Sequence, residues 1–203
     1  MLIWGSSWLA IHFQLGEVAP EVSIAYRFIL ASGLLVIWCR LRRISLRIAL
    51  RHHPFLALLG LSLFSLNYLL FYYAAFDLAT GLLAVIFSTM TVMNIFNSAI
   101  FLRRQIQKKT VLAVVFGLTG MALVFWPEIT TSGPRVAAAI GISLIATYLA
   151  SIGNIVSARN QNHGLPVAST NTIGMAYGAL FMLAYSAGSG APFAIDTSTT
   201  YIG

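Results

Sequence analysis

The sequence predicts an all-α fold, a polytopic bundle of transmembrane helices, and three observations carry that reading. Of the 203 residues, 59% are apolar and 8% are charged, against about 25% charged in a soluble domain; mean hydropathy is +0.85. Residues 55–102 carry a single charge, Asp77, which lies in a break, Asp77-Leu78-Ala79-Thr80, between two apolar runs of 22 residues. As helix each run measures ~33 Å at ~1.5 Å per residue, enough for a hydrocarbon core of ~30 Å. Finally, nine of the twelve Arg and Lys fall in two short segments, Arg40–Arg51 and Arg103–Lys109. Cytoplasmic loops of membrane proteins carry such an excess of basic residues.

Seven spans follow in chain order. Met1–Leu15 is apolar but short, ~22 Å as helix; it lacks the basic start and small-residue cleavage site of a signal peptide. It reads as a first helix with its start clipped or close to the surface. Gly16–Glu21 is an acidic turn, and Val22–Cys39 is the second span, interrupted by Arg27. Arg40–Pro54 is a basic loop, in part an interfacial helix, that holds His52 and His53. Phe55–Phe76 and Gly81–Leu102 form an antiparallel hairpin. After the second basic loop, Thr110–Trp126 is the fifth span; its Gly117-Leu118-Thr119-Gly120 permits close helix packing. Residues 127–135 are an outer loop. Val136–Ser157 is the sixth span, Arg159–Pro166 a polar loop, and Val167–Ala187 the seventh, before a small-residue tail. Two helices separate the basic loops, so both lie on one side. Taken as cytoplasmic, that side puts the N-terminus inside and Glu17, Glu21, Asp77 and Glu128 outside. The expected location is the inner (plasma) membrane.

The charge distribution also excludes functions. The formal net charge of +7 sits in loops rather than on a nucleic-acid-binding face. One cysteine, Cys39, allows no internal disulfide. The spans hold no paired carboxylates, no Ser/His/Asp order and no metal-ligand spacing, and nothing has the Gly-x-x-x-x-Gly-Lys spacing of a phosphate-cradling loop. The chain therefore reads as a non-enzyme without metal or cofactor.

A weak repeat is visible. Trp4-Gly-Ser-Ser-Trp-Leu-Ala followed by Pro20 resembles Tyr148-Leu-Ala-Ser-Ile-Gly-Asn followed by Pro166, which pairs Ser7 with Ser151 and Ser23 with Ser169. Five helices lie between the two starts, an odd number, so the second copy is inverted. Inverted repeats meeting at a midplane site are a recurring plan in secondary transporters. Trp4-Gly-Ser-Ser, Tyr26-Arg27-Phe28, Leu66-Asn67-Tyr68-Leu69-Leu70-Phe71-Tyr72-Tyr73-Ala74, Gly81-Leu82-Leu83-Ala84 and Gly117–Leu123 together resemble EamA-type transporters of the drug/metabolite transporter superfamily. The resemblance is strong over 1–126 and weaker over 138–187. It implies ten helices in two inverted five-helix units, here 1–126 and an incomplete 136–203 that stops three helices short. It also implies transport of a small metabolite. The chain departs from the family pattern where a mid-helix proline is replaced near Thr91-Val92 and a glutamate by Arg104.

Polar residues inside the spans are the candidate site, because an amide in hydrocarbon is costly unless paired. Met90, Asn94 and Asn97 recur at i, i+4, i+7 and share a helix face; Asn67, Tyr68 and Tyr72 lie on the preceding span. Tyr148, Ser151 and Asn154 form a stripe on the sixth. Trp4, Ser7 and His12 lie on the first, where His12 is the one histidine within a span and a candidate proton carrier. Two readings stand for these residues. They line a cavity for a small polar substrate, amino-acid-like given amide and aromatic groups, or they are interhelical glue in a non-transporting scaffold that uses polar faces to form a homo-oligomer. Arg27 either anchors a substrate carboxylate or binds outer-loop acceptors. Lipid and a small molecule are the expected partners.

Overall fold

The computed structural model describes residues 19–131 and 133–190. Six helical segments result: α1 (Pro20–Leu41), α2 (Leu50–Ala74), α3 (Thr80–Leu102), α4 (Lys108–Thr131), α5 (Gly133–Asn162) and α6 (Val167–Ser189). Among the described residues there is no strand. Helix is what a lipid medium demands, since each backbone donor and acceptor must then be satisfied within the segment. Of the six, α1, α2, α3, α5 and α6 are long and apolar enough to cross a membrane. They match the second, third, fourth, sixth and seventh expected spans, and α4 matches the fifth. The expected first span, Met1–Leu15, lies outside the described residues. Proline marks three starts: Pro20 opens α1, Pro54 opens the α-helical part of α2 after its 3₁₀ turn, and Pro166 is the N-cap of α6. There its missing N–H removes a donor that would have had no helical partner.

The loop expected over 127–135 is instead largely helical. Helix α4 runs through Pro127 to Thr131, and α5 already begins at Gly133. A proline inside a helix forfeits one backbone hydrogen bond, whereas an open loop forfeits several. The break includes Gly133 at φ +77°, a conformation glycine adopts without a Cβ clash. The basic loop also departs from expectation at His52 and His53. A short 3₁₀ turn, Leu50–His52, leads directly into helix at His53. His52 is buried there, and His53 Nδ1 meets the Tyr177 hydroxyl at 2.8 Å.

Helix α2 is the hub. It packs against both α5 and α6, and α1 lies along α6 and touches α2 through Phe28. Antiparallel α1 and α6 are tied by a side-chain-to-backbone bond, Ser32 Oγ donating to the Thr172 carbonyl at 3.0 Å, and Ser169 Oγ of α6 donates at 2.8 Å to the Ser45 carbonyl in the loop after α1. The expected hairpin is splayed. Its arms, α2 and α3, meet near their turn, where Phe71 and Phe87 stack edge-on at 5.4 Å. Beyond that each packs on α5 rather than on the other. Helix α4 is peripheral; among its described side chains Val114 is the buried one.

Backbone-to-backbone approach explains why α5 and α6 displace α3 from α2. A Cβ placed on Gly60 would lie 2.5 Å from the Gly174 carbonyl oxygen and 2.8 Å from the Gly178 nitrogen. One on Gly178 would lie 2.8 Å from the Phe64 Cβ, and one on Gly153 would lie 2.6 Å from the Leu63 Cβ. In a bilayer no hydrophobic force drives helices together, so small residues that let backbones touch decide which pairs form. Gly174 and Gly178 form a Gly-x-x-x-Gly pair on α6, a signal present in the sequence and missed there. Helix α2 widens to a π-helical turn at Ser62–Leu66, beside these contacts. The Ser65 hydroxyl bridges the Gly60 and Leu61 carbonyls, 2.9 Å from each, and so satisfies acceptors that the widening leaves short. By contrast, Gly117 and Gly120 on α4 have nothing within 4 Å, so their expected packing role finds no partner among the described residues.

Substituting Gly60 by Ala should therefore lower the thermal unfolding midpoint in detergent, by overpacking worth about 1–3 kcal/mol. The same change at Gly117 should leave it unchanged or slightly raised, since alanine is the better helix former by up to ~1 kcal/mol.

Candidate functional site

The polar face of α3 divides into two adjacent stripes with different fates. Met90 and Asn97, seven residues apart, both turn toward α5. Asn97 Nδ2 donates to Ser151 Oγ at 2.8 Å, and Asn154 Nδ2 donates to Met90 Sδ at 3.4 Å. Asn97 and Ser151 are buried. The expected stripes on the fourth and sixth spans thus meet each other. Tyr148, expected with them, is 45% exposed.

The second stripe is Thr91, Asn94 and Ser98, spaced i, i+3, i+7. It walls an open cavity of about 450 Å³. Ile95 lies between its members, and the segment 104–107, with Arg104, Gln105 and Gln107, closes the end toward Thr110 of α4. Asn94 Oδ1 is buried without a hydrogen-bond partner. A neutral amide oxygen in that position accepts a donor if one is brought to it, and leaving it empty costs ~1–3 kcal/mol. Among the described residues, Asn94 is the member of the predicted set that lines this cavity. Ser98, Gln105 and Gln107 were not singled out from the sequence; Ser98 was findable as the residue four after Asn94 on the same face.

The remaining predicted residues are dispersed. Asn67 is buried on α2, and its Oδ1 has no partner. Tyr68 is half-buried at the α1 side, edge-on to Phe28 at 5.1 Å, with the Arg27 guanidinium carbon 5.8 Å from its ring centre. Arg27 therefore sits over an aromatic face, a favourable placement for a cation in a low-dielectric setting. Tyr72 is 1% exposed and belongs to the core. Trp4, Ser7 and His12 lie outside the described residues. Elsewhere hydroxyls are spent on their own helices: Thr89 donates to the Ile86 carbonyl at 2.7 Å, beside the irregular turn in α3, and Ser143 and Thr147 donate to carbonyls four residues back. Among the described residues no cluster of three His, Cys, Asp or Glu is placed to hold a metal ion.

A bundle of apolar helices with an asparagine, Asn94, lining a polar cavity suits a membrane carrier, and comparison with known proteins agrees. The EamA-like transporter family matches residues 1–126. The chain belongs to this family. It is a multi-pass membrane protein of a transporter family, whose members imply a small-molecule substrate in a lipid setting. Protein PagO of Salmonella typhimurium is 25% identical over 131 residues, which are 64% of this chain and 43% of PagO. The chain thus spans less than half the length of that relative. No solved structure matches it.

The Asn97–Ser151 bond is open to a double-mutant cycle. Asn97→Ala, Ser151→Ala and the pair, unfolded in detergent, should give a coupling of about 0.6 kcal/mol, the usual size for an interhelical hydrogen bond in a membrane. Zero coupling would show that the two side chains do not meet in solution.

Proposed function

We propose that this chain forms part of a secondary transporter that moves a small polar metabolite by alternating access between two inverted repeats. The observation that carries the proposal is Asn94, which lines the α3–α4 cavity and whose buried Oδ1 has no hydrogen-bond partner. The substrate that fits is neutral or zwitterionic and amino-acid-like: it offers an N–H to Asn94 and tolerates hydroxyls at Thr91 and Ser98. The Arg104 end of the cavity is assigned to the cytoplasmic face, where basic loops collect, with the N-terminus on the same side and the inner membrane as the location. Trp4, Ser7, His12, Asn67 and Tyr68 complete the proposed substrate path in the assembled protein.

The antiparallel pairing of α1 with α6 supports the inverted-repeat reading. Both helices start at a proline, Pro20 and Pro166, and they occupy equivalent places in the proposed units 1–126 and 136–203. The satisfied Asn97–Ser151 pair favours the scaffold reading at that one position, where the polar groups act as glue.

The two roles separate in proteoliposomes made with the protein encoded by the whole gene. Asn94→Leu should reduce flux of a labelled neutral amino acid at least tenfold, equivalent to ~1.4 kcal/mol, while the unfolding midpoint stays within a degree or two. Loss of folding without a selective loss of flux would assign Asn94 to the scaffold. Absence of flux for every amino acid and nucleoside tried would remove the substrate class.

A further inference from the structure

The splay of α2 from α3 leaves a second cavity, which shares no lining residue with the cavity at Asn94. It measures about 440 Å³ and lies between Phe55 and Leu58 of α2 and Phe101 and Leu102 of α3, with Ile152 and Ile155 of α5 as its floor. Leu58 and Phe101 are exposed at its rim, so the groove opens sideways, where lipid lies. Its mouth carries Arg159 and His163. The Arg159 guanidinium carbon lies 3.2 Å from the centre of the Phe55 ring, and its Nη1 donates to Asn160 Oδ1 at 3.3 Å. These contacts hold the guanidinium flat and leave most of its donors unused. No ion pair engages Arg159 among the described residues. The acids with described side chains, Glu21 and Asp77, belong to the other end of the bundle: Glu21 accepts from Ser189 Oγ, and Asp77 lies in the α2–α3 turn. His163 Nδ1 donates to the Arg159 carbonyl at 2.8 Å, and its ring lies 5.8 Å from that of His52, which in turn accepts from Arg51 Nε at 3.2 Å. His52 Nδ1 and Asn160 Nδ2 are buried with no partner. The groove thus couples an apolar slot to a cationic mouth, free of acids among the described residues, at the basic end of the helices.

We propose that this groove binds an acidic phospholipid: one acyl chain between the arms of the hairpin, and the phosphate at Arg159. A planar guanidinium presents paired donors to phosphate oxygens. Basic pockets between helices at the basic face of a membrane protein are suited to acidic headgroups. Occupancy would fill the space that the displaced arm of the hairpin leaves open and would fix α3 to α2 at the end far from their turn. A soluble phosphate would use only the mouth, and the apolar slot argues for lipid.

Delipidated protein in detergent is titrated with phosphatidylglycerol, phosphatidylcholine or inorganic phosphate, and bound lipid and the unfolding midpoint are read. Phosphatidylglycerol should be retained and raise the midpoint; phosphatidylcholine and phosphate should not. Arg159→Gln should weaken phosphatidylglycerol retention roughly fivefold, the effect of one basic residue near an acidic surface, and Arg159→Lys should largely restore it. Leu58→Trp, at an exposed position, fills the slot and should abolish retention with Arg159 intact, which serves should the arginine variant fold poorly. Equal retention of phosphatidylcholine, an equal effect of phosphate alone, or retention that survives Leu58→Trp would overturn the proposal. Flux is not the readout, so the outcome is independent of the transport reading.

Discussion

The close approach of α2 to α5 and α6 is the contact on which the rest of the bundle depends. In water, helices can be driven together by burying apolar surface. In lipid that force is absent, and only interfaces that bring many atoms into van der Waals range hold. Gly60, Gly153, Gly174 and Gly178 supply such interfaces by letting backbone touch backbone. The π-widened turn of α2 at Ser62–Leu66 turns the chain to suit them. Once α5 is seated on α2, α3 is held away from α2 except at the turn. The polar seam, the α3–α4 cavity and the apolar groove between the arms all follow from that exclusion.

Polar groups are then sorted by what this packing leaves within reach. Hydroxyls rarely need another helix, because serine and threonine can return their proton to a carbonyl one turn back; Ser62, Ser65, Thr89, Ser143, Thr147 and Thr172 do so. Amides cannot satisfy both ends that way. Asn97 and Asn154 reach across to α5 and α3 respectively. Asn67 and Asn94 keep a bare oxygen. A bare amide oxygen is unfavourable for stability alone, and that imbalance separates a candidate site from glue on one helix face.

Much of the bundle was legible in the sequence because span formation is a property of each segment by itself. The energy of moving a 20-residue apolar stretch into hydrocarbon depends on its own composition, so the segments, their order and the charged loops could be read directly, and with them the family. The errors have a common source. The break over 127–135 looked like a loop because of Pro127 and Pro134, yet α4 continues through Pro127 since an internal helix keeps more backbone hydrogen bonds than a loop does. The sequence places His52 in a basic interfacial loop, but it is buried, with His163 at the end of α5 against it.

What the sequence by itself determined was thus the membrane class, the helical segments and the polar residues within them, quantities set by local composition and by the 3.6-residue period. Tertiary structure decided which of those residues meet. Asn94 and Asn97 are three positions apart and nearly share a face, but Asn97 is used up by Ser151 while Asn94 faces a cavity. Tyr72 and Tyr148 are alike as residues, but one is core and the other exposed. The physical reason is that helix pairing turns on close backbone approach at a few glycines, and the register of that approach sets the side-chain contacts while leaving almost no mark on hydropathy.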